Sequence, residues 1–194
     1  MTTYFTADTH FNHVRILEYC PRPWTFVEDM NEGLIKSFNA VVSPEDTVYI
    51  LGDFAMGDKD KIPYLASRLN GKKILILGNH DYSKPGQPRK QLLNAGFEAI
   101  VERMMLEDSG KKLFLHHEPL PQSEWGGADL HLSGHVHDCY TRASHIPGQN
   151  IKPDPEGLIL NVGVDVCGYK PMTLEQLLAR PFTSKGDHRL ETVL

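Results

Sequence analysis

An α/β fold is predicted by three features: short apolar runs that stop abruptly in polar clusters, stretches of helical spacing between them, and a second half richer in strand. Residues 2–7 break into Asp8-Thr9-His10, residues 47–51 into Gly52-Asp53, and residues 73–77 into Gly78-Asn79-His80-Asp81. Apolar runs bounded in this way read as buried strands. Residues 26–41 place Met30, Leu34, Ile35 and Phe38 on one stripe, and residues 59–69 do the same with Ile62, Leu65, Ala66 and Leu69. Both stretches are expected as amphipathic helices. Residues 99–107 and 111–116 flank Asp108-Ser109-Gly110, a turn sequence that predicts a β-hairpin. Residues 130–133 lead into Gly134-His135-Val136-His137, residues 158–164 give a further apolar run, and a short helix is expected at 174–178. Two long connections, 119–129 and 141–157, are rich in Pro, Gly and polar residues, and such loops often carry function.

The bulk properties set limits. A chain of 194 residues suits one substantial domain, expected over 1–194, and 40% hydrophobic with 23% charged residues is ordinary for a globular protein. A net charge of -5 argues against a surface for long nucleic acid, which needs a basic face to displace counterions, and favours a small substrate. Cys20, Cys139 and Cys167 are odd in number and form no CxxC pair, which fits a reducing compartment. Asp8, His10, His13 and Arg15 interrupt the start of the chain, so no signal peptide is expected. No apolar run approaches the roughly 20 residues of a membrane span. A cytoplasmic location without membrane contact is the expectation. Ten histidines are the least ordinary number, and they direct attention to metal sites.

Metal-capable residues gather where predicted strands end, the place where open α/β sheets keep their ligand sites. In order they are Asp8 and His10, Asp53, Asn79 and His80, His117 with His116 beside it, and His135 with His137. Residues two apart on a strand share a face, so Asp8/His10 and His135/His137 are each expected to present two ligands to one cavity. Gly52, Gly78 and Gly134 immediately precede donors, where a missing Cβ permits close approach. Each pair alone is unspecific. An Asp-x-His is common, Gly-Asn-His-Asp could be a tight turn, and Gly-His-Val-His could be a half-exposed strand. Five such clusters in order, each after a strand, are specific.

This ordered set, Asp8-x-His10, Gly52-Asp53, Gly78-Asn79-His80-Asp81, His117 and Gly134-His135-x-His137, resembles the calcineurin-like metallophosphoesterase family. The tail Asn161-Val162-Gly163-Val164 with Tyr169-Lys170-Pro171 is similar to small single-domain bacterial and phage members. The resemblance implies a four-layer α/β/β/α sandwich of two mixed sheets, with the site at the C-terminal ends of the strands. It implies that Asp8, His10, Asp53 and His137 bind one ion, that Asp53, Asn79, His117 and His135 bind a second, and that Asp53 bridges. A shared carboxylate and hydroxide relieve repulsion between two dications about 3.5–4 Å apart. Mixed N/O ligation suits Mn, Fe, Zn, Co or Ni, with Mn favoured. His117 is preferred to His116 because relatives read Ser-His-x-Pro here and Pro119 sets that register. His80 is expected as the acid that protonates the leaving oxygen, with Asp81 orienting it, and a metal-bridging hydroxide as nucleophile.

Other residues carry two readings. His13 is a candidate substrate contact, and Trp125 either stacks a base or aromatic leaving group or covers core. His131 caps or packs near its strand, His145 and His188 are expected in solvent, and Cys139 fills space. Where protein phosphatases of the family continue with Asp-Arg-Gly, this chain has Asp53-Phe54-Ala55. A phosphate-gripping arginine is thus missing, which favours small phosphodiesters or cyclic nucleotides over monoester dianions. A phosphomonoesterase or nuclease is the alternative within the family, and an inactive metal-stabilised interaction module is the alternative outside catalysis.

Overall fold

A computed structural model describes residues 1–145, 152–153 and 158–183. The chain runs β1 (Thr3–Thr6), α1 (Ile16–Tyr19), α2 (Val27–Asn39), β2 (Thr47–Leu51), a 3-10 turn (Lys59–Lys61), α3 (Ile62–Ser67) and β3 (Lys72–Ile76). A second 3-10 turn (Asn79–Asp81) precedes β4 (Tyr82–Lys84), β5 (Gln87–Pro88), α4 (Lys90–Leu93), β6 (Ala99–Val101), β7 (Arg103–Asp108) and β8 (Lys111–His116). After a third 3-10 turn (Gln122–Glu124) come β9 (Leu130–Ser133), β10 (Arg142–His145), β11 (Lys152–Pro153), β12 (Ile159–Asn161) and α5 (Leu174–Ala179).

Two large sheets form. The first has the order β1-β2-β3-β6 and is parallel throughout. The second has the order β11-β10-β12-β9-β8-β7 and is mixed, with β8, β9 and β12 parallel to one another. The expectation of two mixed sheets is thus corrected for the first. Its strands are apolar on both faces because both are covered. Val48, Ile50 and Leu75 meet α2 and α3 through Met30, Leu34, Phe38, Ile62 and Leu65, while Tyr49, Leu51 and Ile76 face Leu113, Leu115, Leu132 and Leu160 of the second sheet. Each fully buried aliphatic side chain there contributes about 1.5–3 kcal/mol.

Local chemistry fixes the ends. Thr173 accepts from the Gln176 amide while the Gln176 side chain accepts from Thr173 N, a reciprocal cap that starts α5. Ser109 and Gly110 both take positive φ, which makes the two-residue turn of the β7–β8 hairpin. The stretch expected as one strand over 99–107 is two: β6 completes the first sheet and β7 opens the second, with the crossing at Glu102. Part of the expected loop 141–157 is also strand, since β10 pairs with β12, so His145 lies on a strand and not in a loop. His188 lies outside the described residues.

The outer face of the second sheet corrects the four-layer expectation. Phe114, Tyr140, Ala143 and Ile159 are covered there by Trp125, Ala128 and Leu120 of the 119–129 connection. Among the described residues no α-helix contributes to this cluster. Trp125, expected either to stack on substrate or to cover core, lies in the core: it is 2% exposed and its indole N–H donates to Leu120 O at 2.8 Å. His131 is its partner in this layer, fully buried, with Nδ1 donating to Phe114 O at 3.0 Å and Nε2 accepting from Leu120 N at 3.1 Å. Burial pushes this imidazole down to about 4, so it folds neutral.

An unfolded histidine protonates near pH 6.5, so the stability held by His131 is whole above that pH and is lost as pH falls towards 4. The loss reaches up to about 3 kcal/mol. Urea unfolding of metal-free protein at pH 7 and pH 4.5 should show His131→Gln less stable at pH 7 but with a flatter pH dependence than wild type. Parallel pH slopes would contradict this assignment.

Candidate metal centre

Every cluster singled out from the sequence lies at the C-terminal end of a strand within a parallel pair. Asp8 and His10 follow β1, Asp53 follows β2, Asn79 and His80 follow β3, His117 follows β8, and His135 and His137 follow β9. The shared-strand-face reasoning for Asp8/His10 and His135/His137 is corrected, because all four lie past the last strand residue. Loop backbone aims them instead. Asp8, His10, Asp53, His135 and His137 have φ of 57°, 48°, 53°, 71° and 48°. These are five of the eight non-glycine residues with positive φ among the described residues. The left-handed region costs an L-residue about 1–2 kcal/mol, so strain of this kind gathered in one place marks a functional site.

The three glycines are close-approach positions. A Cβ on Gly52 would strike the His117 ring, one on Gly78 the Asp53 carboxylate, and one on Gly134 the side chains of Ala7 and Asp8. Any larger residue would push apart the groups that converge.

Asp53 is the hub. Its Oδ2 lies 3.5 Å from His10 Nε2, 3.5 Å from His117 Nε2 and 3.9 Å from His80 Nε2. Asn79 Oδ1 lies 3.0 Å from His117 Nε2 and 3.2 Å from His135 Nδ1. The His10 and His137 rings stack with centroids 5.1 Å apart. Donor atoms of Asp8, His10 and His137 lie within 4.8 Å of one another, and so do those of Asp8, Asp53 and His117. Asp8 is fully buried and Asp53 2% exposed.

This donor set fits divalent cations. Both His10 ring nitrogens are buried without a hydrogen-bond partner, and burial holds the ring well below the ordinary histidine range, so a neutral lone pair faces the cluster. Leaving such atoms unsatisfied costs about 1–3 kcal/mol, which a bound cation removes. Burial raises Asp8. Burial also acts to raise Asp53, but His117 and His10 outweigh it and hold that carboxyl below the usual range. Burial acts to lower His117, yet Asp53 pushes it up to about 9, so a proton and a cation compete for the same nitrogen. His117 Nδ1 lies 2.8 Å from Leu51 O and donates to it, which leaves Nε2 turned to Asp53. Its neighbour His116 points elsewhere, with Nδ1 3.1 Å from the Glu118 amide and its ring stacked on Phe114.

The surrounding shell holds two groups that sequence reasoning missed, Arg22 and Asp165. His137 Nδ1 lies 2.8 Å from Asp165 Oδ2, and Arg22 grips both oxygens of Asp165 at 2.8 and 3.0 Å. The same guanidinium donates to Thr9 O at 3.0 Å and Asp8 O at 2.8 Å. Asp165 had one available signal, since it follows the 158–164 run as other acids follow theirs. Arg22 had none. Asp81 also differs from expectation. Its fully buried carboxylate accepts from the amides of Gly78, Asp53 and Phe54 at 2.9, 2.9 and 3.1 Å, so it fixes the Asp53 loop and does not orient the His80 ring. Burial, then Asp53, push it up to about 6. His80 donates its amide to Asp53 Oδ1 at 2.9 Å and keeps a side chain 42% exposed. His13 sits at the rim, its ring centroid 5.2 Å from that of His10 and 6.4 Å from that of His80.

Residues 1–139 match the profile of the family described as calcineurin-like phosphoesterase. The chain is 34% identical over 177 residues to an uncharacterized protein of Methanocaldococcus jannaschii, covering 90% of this chain and 88% of that one. It is 42% identical over 191 residues to the gene 66 protein of Mycobacterium phage L5, covering 86% and 87%. The crystal structure of a protein of unknown function from Aquifex aeolicus superposes with a TM-score of 0.64 at 26% identity, covering 90% of this chain and 96% of that one.

Asp165→Asn, which keeps the shape and removes the charge behind His137, should weaken divalent-metal binding about 10–100-fold. Calorimetric titration with Mn(II) checks this, and affinity equal to wild type would contradict it.

Proposed function

The chain belongs to the calcineurin-like phosphoesterase family, and from that premise we propose that it is a single-domain, binuclear metal-dependent phosphodiesterase acting on small diesters or cyclic nucleotides. The observation that carries the reading is the position of Asp53 Oδ2, equidistant at 3.5 Å from His10 and His117. We assign Asp8, His10, Asp53 and His137 to one ion and Asp53, Asn79, His117 and His135 to the other, with manganese favoured. Bound there, two divalent cations supply Lewis acidity that activates water and neutralises charge on the phosphoryl oxygens.

The chain's own residues do the rest. Asn79 completes the second set without adding charge, which limits the negative potential met by an anionic ester. His80 is the proton donor to the leaving oxygen: it borders Asp53 at 3.9 Å, and its partly exposed ring is open to substrate. His13, beside His80 and His10, is positioned to contact the phosphoryl group. Phe54, where a phosphate-gripping arginine would stand, is fully buried, so that position offers no cation to a monoester dianion. Among the described residues no helix is long and apolar enough to cross a membrane. No disulfide joins the three cysteines, which supports a cytoplasmic location.

The test is a metal-by-substrate screen of bis(p-nitrophenyl) phosphate, p-nitrophenyl phosphate, cyclic nucleotides and single-stranded DNA. Turnover of diesters that depends on Mn(II) and exceeds monoester turnover is expected; a monoester or DNA preference would replace the reading, and no metal-dependent turnover would leave a binding module. His80→Ala should keep its metals and lose about 10²–10⁴-fold in kcat on an alkyl diester, but much less on a p-nitrophenyl ester, whose leaving group needs little protonation. Equal losses on both would contradict the acid role.

A further inference from the structure

A cavity of about 530 Å³ opens directly from the metal centre, and its outer walls take no part in the assignments above. Its inner end is Gly78, Asn79 and His117, and its outer wall is the β4–β5 hairpin with Tyr82, Ser83 and Lys84. Glu102, His116 and Glu118 line the remaining sides. Its volume lies within the range of small-molecule sites.

The walls are held in place. Tyr82 is half-buried and its hydroxyl donates to Glu102 at 3.3 Å. The hairpin is tied to the acid loop, since the Arg89 amide donates to Asp81 O and its Nε donates to His80 O, both at 2.9 Å. Glu118 is held through its backbone amide, which donates to His116 Nδ1 at 3.1 Å. That carboxylate therefore starts from a fixed Cα at the cavity edge, one residue beyond His117.

The charges choose the occupant. Two carboxylates, Glu102 and Glu118, face one ammonium, Lys84, with the imidazoles of His116 and His117 also in the lining, and the carboxylates offer acceptors to an arm that brings hydrogen-bond donors. A lipid chain would leave these charged groups desolvated and unpaired. What the walls match is an arm with hydrogen-bond donors and a flat apolar face for Tyr82. On the proposed phosphodiesterase reading, we infer that this cavity is the specificity pocket for one arm of the diester, and that it takes a nucleoside whose base carries an exocyclic amino group. Glu118 accepts from that amino group, as carboxylates accept from cytosine N4, and the base lies against Tyr82.

Cytidine and uridine differ at the base chiefly in an amino group against a carbonyl, so they are the probes. Titration calorimetry on the manganese-loaded protein should show cytidine binding about tenfold tighter than uridine. Glu118→Gln should abolish that preference, because an amide can donate to the uridine carbonyl, and Tyr82→Ala should weaken both nucleosides. Both should also inhibit hydrolysis of bis(p-nitrophenyl) phosphate competitively, cytidine the more strongly. Equal affinities, no nucleoside binding, or a preference unchanged in Glu118→Gln would overturn the pocket assignment while diester turnover left the catalytic reading standing. Discriminating nucleoside binding without any diester turnover would support the pocket and remove the phosphodiesterase assignment instead.

Discussion

Two carboxylates held almost wholly out of water, Asp8 and Asp53, are the constraint around which the rest of the molecule is arranged. A buried anion without compensation costs several kcal/mol. These two stand in one cluster with His10, His117 and His137, close enough that their donor atoms overlap in reach. The fold brings them together because the first sheet and the centre of the second both run parallel, and parallel strands deliver their C-terminal loops to one edge. Positive φ angles at five of the converging residues are the local cost of that delivery. The close contacts at Gly52, Gly78 and Gly134 are its steric condition.

Two buried charged groups of opposite sign hold this edge in shape. Arg22 binds carbonyls of the first loop, at Asp8 and Thr9, and joins them to Asp165 behind His137. Asp81 binds amides of the second and third loops, at Asp53, Phe54 and Gly78. A cation therefore gathers the carbonyls and an anion gathers the amides, so the loops' backbone groups are satisfied by two buried side chains. Strained backbone persists when its surroundings over-determine it, and these two residues are part of those surroundings.

Much of this was legible in the sequence, for reasons that also explain what was not. Buried strands such as β2 announce themselves as apolar runs, and α2 as a stripe of Met30, Leu34, Ile35 and Phe38, because burial imposes the period of the element. Donors placed just after such runs mark a sheet edge. The break between β6 and β7 left no trace, since residues 99–107 read as one strand whichever sheet they join. Trp125 was undecided because loop position does not reveal whether a ring turns inward. The pairing of Arg22 with Asp165 spans 143 positions, and the function of Asp81 lies in amides that other residues supply. Such partners are set by tertiary geometry alone. The small β4–β5 hairpin was missed because Pro85-Gly86 punctuates strands too short to show alternation.

On the proposed reading Asp53 stands between two cations. Anomalous diffraction from crystals grown with Mn(II) tests it most directly. Two peaks about 3.5–4 Å apart, one on each side of the Asp53 carboxylate, are the predicted result. A single peak away from Asp53, or none at full saturation, would contradict it.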